Sequence, residues 1–142
     1  MGNNTMKYAY LSIILLLAAM GANALEIVII ANSQNTNSLS RETIAQIYTG
    51  NKSTWPDGSR IVACDQKMES QAAKAFLSVY PRKSTADYQA LWMEKMLSGA
   101  ANPPKSLGSD NDVIEFVASN KGAIGYVAKE SVTGKVKDVT PR

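Results

Sequence analysis

Residues 39–64 read LSRETIAQIYTGNKSTWPDGSRIVAC, and the order of signals in them decides the architecture. Ser40 is suited to open a helix, because its hydroxyl can accept from the unpaired amides of the first turn. Leu39 before it and Ile44 after it stand where a hydrophobic staple would close. Ile44, Ile47 and Tyr48 recur at helical spacing, and Gly50 follows where a helix ends in a left-handed residue. Trp55-Pro56-Asp57-Gly58 reads as a tight turn, and Arg60-Ile61-Val62-Ala63-Cys64 as a buried strand. A capped helix, a turn and a strand within 26 residues argue for an α/β domain.

Upstream, LEIVIIA at 25–31 is a nearly continuous apolar run of strand length, suited to a central strand covered on both faces. The polar segment 32–38 joins it to the Ser40 helix. A strand, a polar loop and a helix start in that order form ligand sites in open α/β sheets, and the helix amides favour an anion. Asn35, Thr36, Asn37 and Ser38 are the candidate contacts. The same four residues also make an ordinary loop whose side chains bond their own backbone. Downstream, helices are expected at about 70–80, with Ala72, Ala73, Phe76, Leu77 and Tyr80 inward, and from Ser84 to Gly99, with Tyr88, Leu91, Trp92 and Met96 as its apolar stripe. Pro103 and Pro104 exclude a helix from the connector 100–107. Ser109 caps a further helix with Val113, Phe116 and Val117 inward. A second short buried strand is expected at 123–127, and an edge strand at 135–139.

Residues 1–24 have the form of an export leader: Lys7, an apolar stretch at 9–19, and Ala22-Asn23-Ala24 for processing. Leu25 rather than cysteine follows, so no lipid anchor is expected. Residues 25–142 then form one periplasmic or secreted domain with one core. The whole chain carries 15 Lys and Arg against 12 Asp and Glu, a net +3 that falls by one when Lys7 leaves with the leader. That balance argues against nucleic acid as a partner. Cys64 stands alone, either as a small apolar residue in a strand or as one half of an intermolecular disulfide.

The chain has no histidine, no P-loop, no dinucleotide-binding glycine turn and no Cys/His cluster. Asp110 and Asp112 are two apart on a helix, so they diverge and act as first-turn carboxylates. No enzyme activity, metal or cofactor is expected.

The runs LS…I…IYTGN…TWPDGSRIV and GAIGYV at 122–127 resemble the second lobe of the phosphate-binding periplasmic proteins of ABC transporters. The resemblance extends from Ile27 to about Val139 and is to short, single-lobe members. It implies a type 2 periplasmic binding fold: a small central mixed sheet flanked by helices, in three-layer-like form. In that family an arginine, then Ser-Gly-Thr opening a helix and often a further arginine, hold the anion. Here Ser70 takes the serine position, while Gln71, Ala72 and Ala73 replace the glycine, threonine and second arginine, and Gln66 the first arginine. Hydrogen bonds to a charged group contribute about 1.5–3 kcal/mol each, so losing two guanidinium groups weakens such a site by orders of magnitude.

Two functions follow as expectations. One is weak binding of a small, phosphate-like anion at helix N-termini, through Asn35, Thr36, Asn37 and Ser38 in one loop and Ser70 and Gln71 in another, on one shared rim. Ser70 reads first as a plain helix cap. The other is a ligand-free interaction module that docks on a membrane transporter or sensor, or forms a homodimer.

Overall fold

The apolar run after Leu25 becomes β1 (Ile27–Asn32), and the helix–turn–strand stretch becomes α1 (Arg41–Tyr48) and β2 (Val62–Gln66) in the computed structural model, which describes residues 24–142. The expected leader lies outside the described residues, apart from Ala24. Then come α2 (Gln71–Val79), α3 (Thr85–Leu97), β3 (Lys105–Leu107), α4 (Asp110–Ser119), β4 (Ala123–Ala128) and β5 (Val136–Asp138). Each helix opens on a serine whose hydroxyl accepts from an amide three residues on: Ser40 from Thr43, Ser70 from Ala73, Ser84 from Asp87 and Ser109 from Asp112. No helix among the described residues is long and apolar enough to cross a membrane.

The strands form one five-stranded mixed sheet in the order β3-β2-β4-β1-β5. β2 is parallel to β3 and β4, with Ala63 opposite Ile124 and Cys64 opposite Lys105. β1 is antiparallel to β4 and β5, with Ile29 opposite Tyr126 and Ala31 opposite Lys137. Alternation along the strands sends side chains to two cores. Ile29, Ile124 and Tyr126 pack with Ile44, Tyr48, Phe76, Leu77 and Trp92 under α1, α2 and α3. Val28, Ile30, Cys64 and Val127 pack with Val113, Ile114 and Val117 under α4. The result is the expected α/β sandwich, a mixed sheet with helices on both faces.

Aromatic packing holds the larger core together. Phe76 stacks flat on Tyr126 at 4.0 Å between ring centroids, and Tyr48 meets Phe76 edge-on at 4.6 Å. Such pairs contribute about 0.5–1.5 kcal/mol beyond the area they bury. The turn after α1 is tied to the sheet by Trp55, whose indole N–H donates to the Gly122 carbonyl at 3.0 Å. Gly50 has a φ of +76°, the left-handed helix end its position calls for.

Residues 105–107, the end of the expected extended connector, form the short strand β3, beyond the two prolines. Two local expectations change. On α4 the buried set is Val113, Ile114 and Val117, and Phe116 is only half-buried. On α3 Tyr88 and Trp92 are buried, whereas Met96, which lines an open groove, is 49% exposed.

Cys64 is completely buried, and burial, helped by the neighbouring Asp65 charge, pushes its thiol up to about 12. A buried, protonated thiol is a poor nucleophile, and the fold shields it from a second chain. A thiol-reactive chromogenic disulfide near neutral pH is therefore expected to leave the folded protein unmodified. It should titrate one cysteine only in denaturant; fast reaction of the native protein would show that the β2–α4 packing opens.

Candidate functional site

The three parallel strands define the candidate rim. β2, β3 and β4 all finish at the same end of the sheet, and the helices that follow β2 and β3 start there. These two helices, α2 and α4, cover opposite faces. Adjacent strands whose helices leave to opposite faces open a crevice at their carboxyl ends, the usual ligand position in such sheets. Here the crevice lies between Gln66-Lys67 and Leu107-Gly108-Ser109, and it is narrow: the Lys67 amide donates to the Leu107 carbonyl at 3.2 Å.

Ser70 and Gln71 are on this rim. Ser70 is half-buried and its hydroxyl caps α2, while Gln71 is exposed. Gln66, at the position where the resemblance would put an arginine, is turned inward. Its side-chain amide donates to the Asp110 carboxylate at 2.7 Å and to the Tyr126 carbonyl at 3.0 Å. The same Asp110 carboxylate accepts from the Ala128 amide at 3.2 Å and the Ser131 hydroxyl at 2.7 Å. Asp110 does more than offset a helix dipole: it ties β2, β4 and the turn Lys129–Ser131 to the start of α4.

The first loop is elsewhere. β1 is antiparallel to β4 and hence to β2, so its carboxyl end is level with the beginnings of β2 and β4. Buried Asn35 donates its amide to the Asn32 carbonyl, and its side-chain oxygen accepts from the Asn37 amide at 2.8 Å and the Asn37 side chain at 2.9 Å. Its carbonyl accepts from Lys137 on β5 at 3.1 Å. Asn37 also lies beside Asp57 in the turn before β2. Thr36 and Ser38 are exposed. The start of α1 belongs to that far end as well, because the Arg41 guanidinium lies over the Tyr80 ring, at the end of α2 remote from Ser70. A nine-residue helix spans about 13 Å. The expectation of one shared rim is thus corrected: Asn35, Thr36, Asn37 and Ser38 sit together at one end of the sheet, Ser70 and Gln71 at the other. The physical reason is strand direction, which the local pattern of a strand, loop and helix does not encode.

Behind the rim lies a buried polar cluster that sequence reasoning missed. The Asp65 carboxylate accepts from the Tyr88 hydroxyl at 2.7 Å, from the Tyr126 hydroxyl and from the Gln66 amide at 3.1 Å. Burial raises the Asp65 pKa above the ordinary carboxylate value, against the opposing pull of the Tyr126 and Tyr88 donors. Burial, followed by the Asp65 charge, also raises both tyrosines. The only local signal would have been an aspartate directly continuing the apolar run 61–64.

No protein-family model matches the sequence, and no curated protein matches it. Solved structures do. Over 80% of this chain the fold is similar to an ABC-type phosphate transport receptor from Vibrio cholerae, with a TM-score of 0.61 and 20% identity, covering 44% of that receptor. It is similar over the same share to a phosphate ABC transporter substrate-binding protein with bound phosphate from Clostridium perfringens, TM-score 0.65 and 22% identity, covering 43% of that protein. PstS from Borrelia burgdorferi matches at 0.61 and 15%, covering 46% of that chain. The chain spans less than half the length of these proteins, and at such identities the likeness is one of fold. What this chain shares with these phosphate receptors over 80% of its length is therefore the architecture of a single lobe, as the resemblance in the sequence implied.

Proposed function

We propose that this chain is a periplasmic, non-enzymatic lobe of the phosphate-receptor fold that works by docking on a membrane transporter or sensor, its contact with small anions being weak. The observation that carries the reading is the state of the crevice, where Gln66 and Asp110 bond each other across the place an anion would enter. Like charges in contact, about 4 Å apart, repel by on the order of 4 kcal/mol at an effective dielectric of 20. A helix N-terminus returns only about 0.3–1 kcal/mol. Repulsion wins, and the amide that replaces the family's arginine is already engaged.

The rival reading, weak capture of a phosphate-like anion, keeps one favourable observation: Ser70 and Gln71 open α2 on this rim, next to exposed Lys67. In that reading these residues make the contact, and Asn35, Thr36, Asn37 and Ser38 act as a loop. Calorimetric titration with inorganic phosphate at low ionic strength separates the two. No saturable heat is expected below about 1 mM, and thermal unfolding should be unmoved by phosphate. A micromolar Kd would overturn docking in favour of solute capture.

A further inference from the structure

A groove of about 740 Å³ runs along the opposite flank of the molecule, away from the rim. Its walls are the last turn of α3, the connector 100–104 and the beginning of β2, with Trp92, Met96, Pro103, Pro104 and Phe116 among its apolar lining. The same lining holds Lys52, Arg60 and Lys105 and no carboxylate. Lys105 also places its ammonium 5.2 Å from the centre of the Phe116 ring, at the groove's wall. Among the described residues the ion pairs are Lys129 with Glu26 and Lys135 with Glu115, so none of the three groove cations is matched by an acid. Met93 and Leu97, 61% and 83% exposed on α3, extend the apolar surface beyond the groove's edge.

We propose that this groove holds an extended acidic segment of a partner protein, carrying apolar side chains that anchor on Trp92, Met96 and the Pro103-Pro104 wall. Charge complementarity selects the acidic partner: three cations without an acid partner around a concavity focus a positive potential into it. Shape selects an extended chain. The ladder between β2 and β3 begins only at the Cys64–Lys105 pair, so beside Val62 and Ala63 the sheet edge faces the groove. Pro103 and Pro104 stand opposite with no amide to donate. A flat bilayer could touch Met93 and Leu97 but could not fill a concavity. The inference rests on the docking reading of the lobe and names the chemistry of the partner.

The test uses a fluorescein-labelled peptide, DLEWDLEWDL, and fluorescence anisotropy with the unmodified protein at low salt. Binding in the range of about 10–100 µM is expected, weakening at least tenfold at about 0.5 M salt, where the Debye length is only a few ångströms. Arg60→Glu and Lys105→Glu, both exposed side chains, should each weaken it about tenfold, while Lys74→Glu on α2 should leave it unchanged. Absence of binding by the unmodified protein would overturn the proposal. So would equal binding of an all-aspartate peptide, an equal effect of Lys74→Glu, or occupancy of the groove by a second copy, detected as a dimer that Arg60→Glu dissolves. Preferential binding of phosphatidylglycerol vesicles would assign the surface to a membrane instead. Phosphate titration judges the docking reading separately, so each idea can fail alone.

Discussion

An alanine at Gly122 is expected to destabilise the fold by about 3 kcal/mol, the upper end of what overpacking usually costs. A Cβ there would stand inside the van der Waals surface of the Arg60 carbonyl oxygen. That oxygen belongs to backbone and has little freedom to retreat, because the neighbouring Ile61 amide bonds the Ser53 carbonyl and Thr54 bridges Arg60. Moving the two segments apart would also stretch the bonds that Val62 and Trp55 donate to the Gly122 carbonyl, at 2.9 and 3.0 Å. Gly125→Ala meets side chains instead, Val113 at 2.7 Å and the Cys64 sulfur at 2.8 Å, which can yield in part. Its cost should be smaller, about 1–2 kcal/mol. Urea unfolding followed by circular dichroism gives both values; a Gly122→Ala midpoint equal to that of the parent would mean that the turn 54–60 is not seated on β4 as described. Neither glycine has a left-handed φ. Both positions of the GAIGYV run thus require glycine for space rather than for conformation.

Removing the Asp65 carboxylate as alanine is expected to cost about 3–5 kcal/mol. Two buried tyrosine hydroxyls lose their acceptor, and each unsatisfied group carries about 1–3 kcal/mol of desolvation. Asp65→Asn should cost far less, because an amide oxygen still accepts and a tyrosine oxygen can accept in return. The pH dependence distinguishes charge from shape. The Asp65 pKa is raised by folding, so the folded state binds this proton more tightly. Its contribution to stability is complete below the ordinary aspartate value, about 4, and is lost as pH rises through the raised folded value. The parent should therefore gain on Asp65→Asn as pH falls from neutrality towards 4. At the alkaline end, Tyr88 and Tyr126 are raised mainly by burial, so stability held below about 10 is lost above it in both proteins. Parallel stability curves between pH 4 and 7 would show that Asp65 is ionised in the fold without penalty.

Much of the local structure was legible in the residues. Ser40, Ser70, Ser84 and Ser109 each announce a helix, and each caps one, because a hydroxyl reaches its own third amide whatever the surroundings. The runs at 25–31 and 123–127 read as covered strands, and β1 and β4, which they become, lie side by side in the sheet. Burial was less legible at helix ends: Met96 and Phe116 have the right spacing, but no neighbour arrives to cover them fully. The rim was misread for a different reason. The pattern 27–41 has the same appearance whether β1 runs with β2 or against it, and only the register with β4 shows that it runs against.

By itself the sequence determined the capped helices, the turn at Trp55–Gly58, the apolar strands and the kinship of fold, since these depend on contacts within a few residues or on patterns that local chemistry writes directly. Tertiary structure alone decided that the two polar loops lie at opposite ends of the sheet. It also decided that Gln66 is spent on Asp110, that Asp65 is sheltered by two tyrosines, and that three cations line a groove. Those facts depend on pairs of residues separated by tens of positions, as Gln66 and Asp110 are by 44. Strand direction and packing bring such pairs together, and no short stretch of chain contains either.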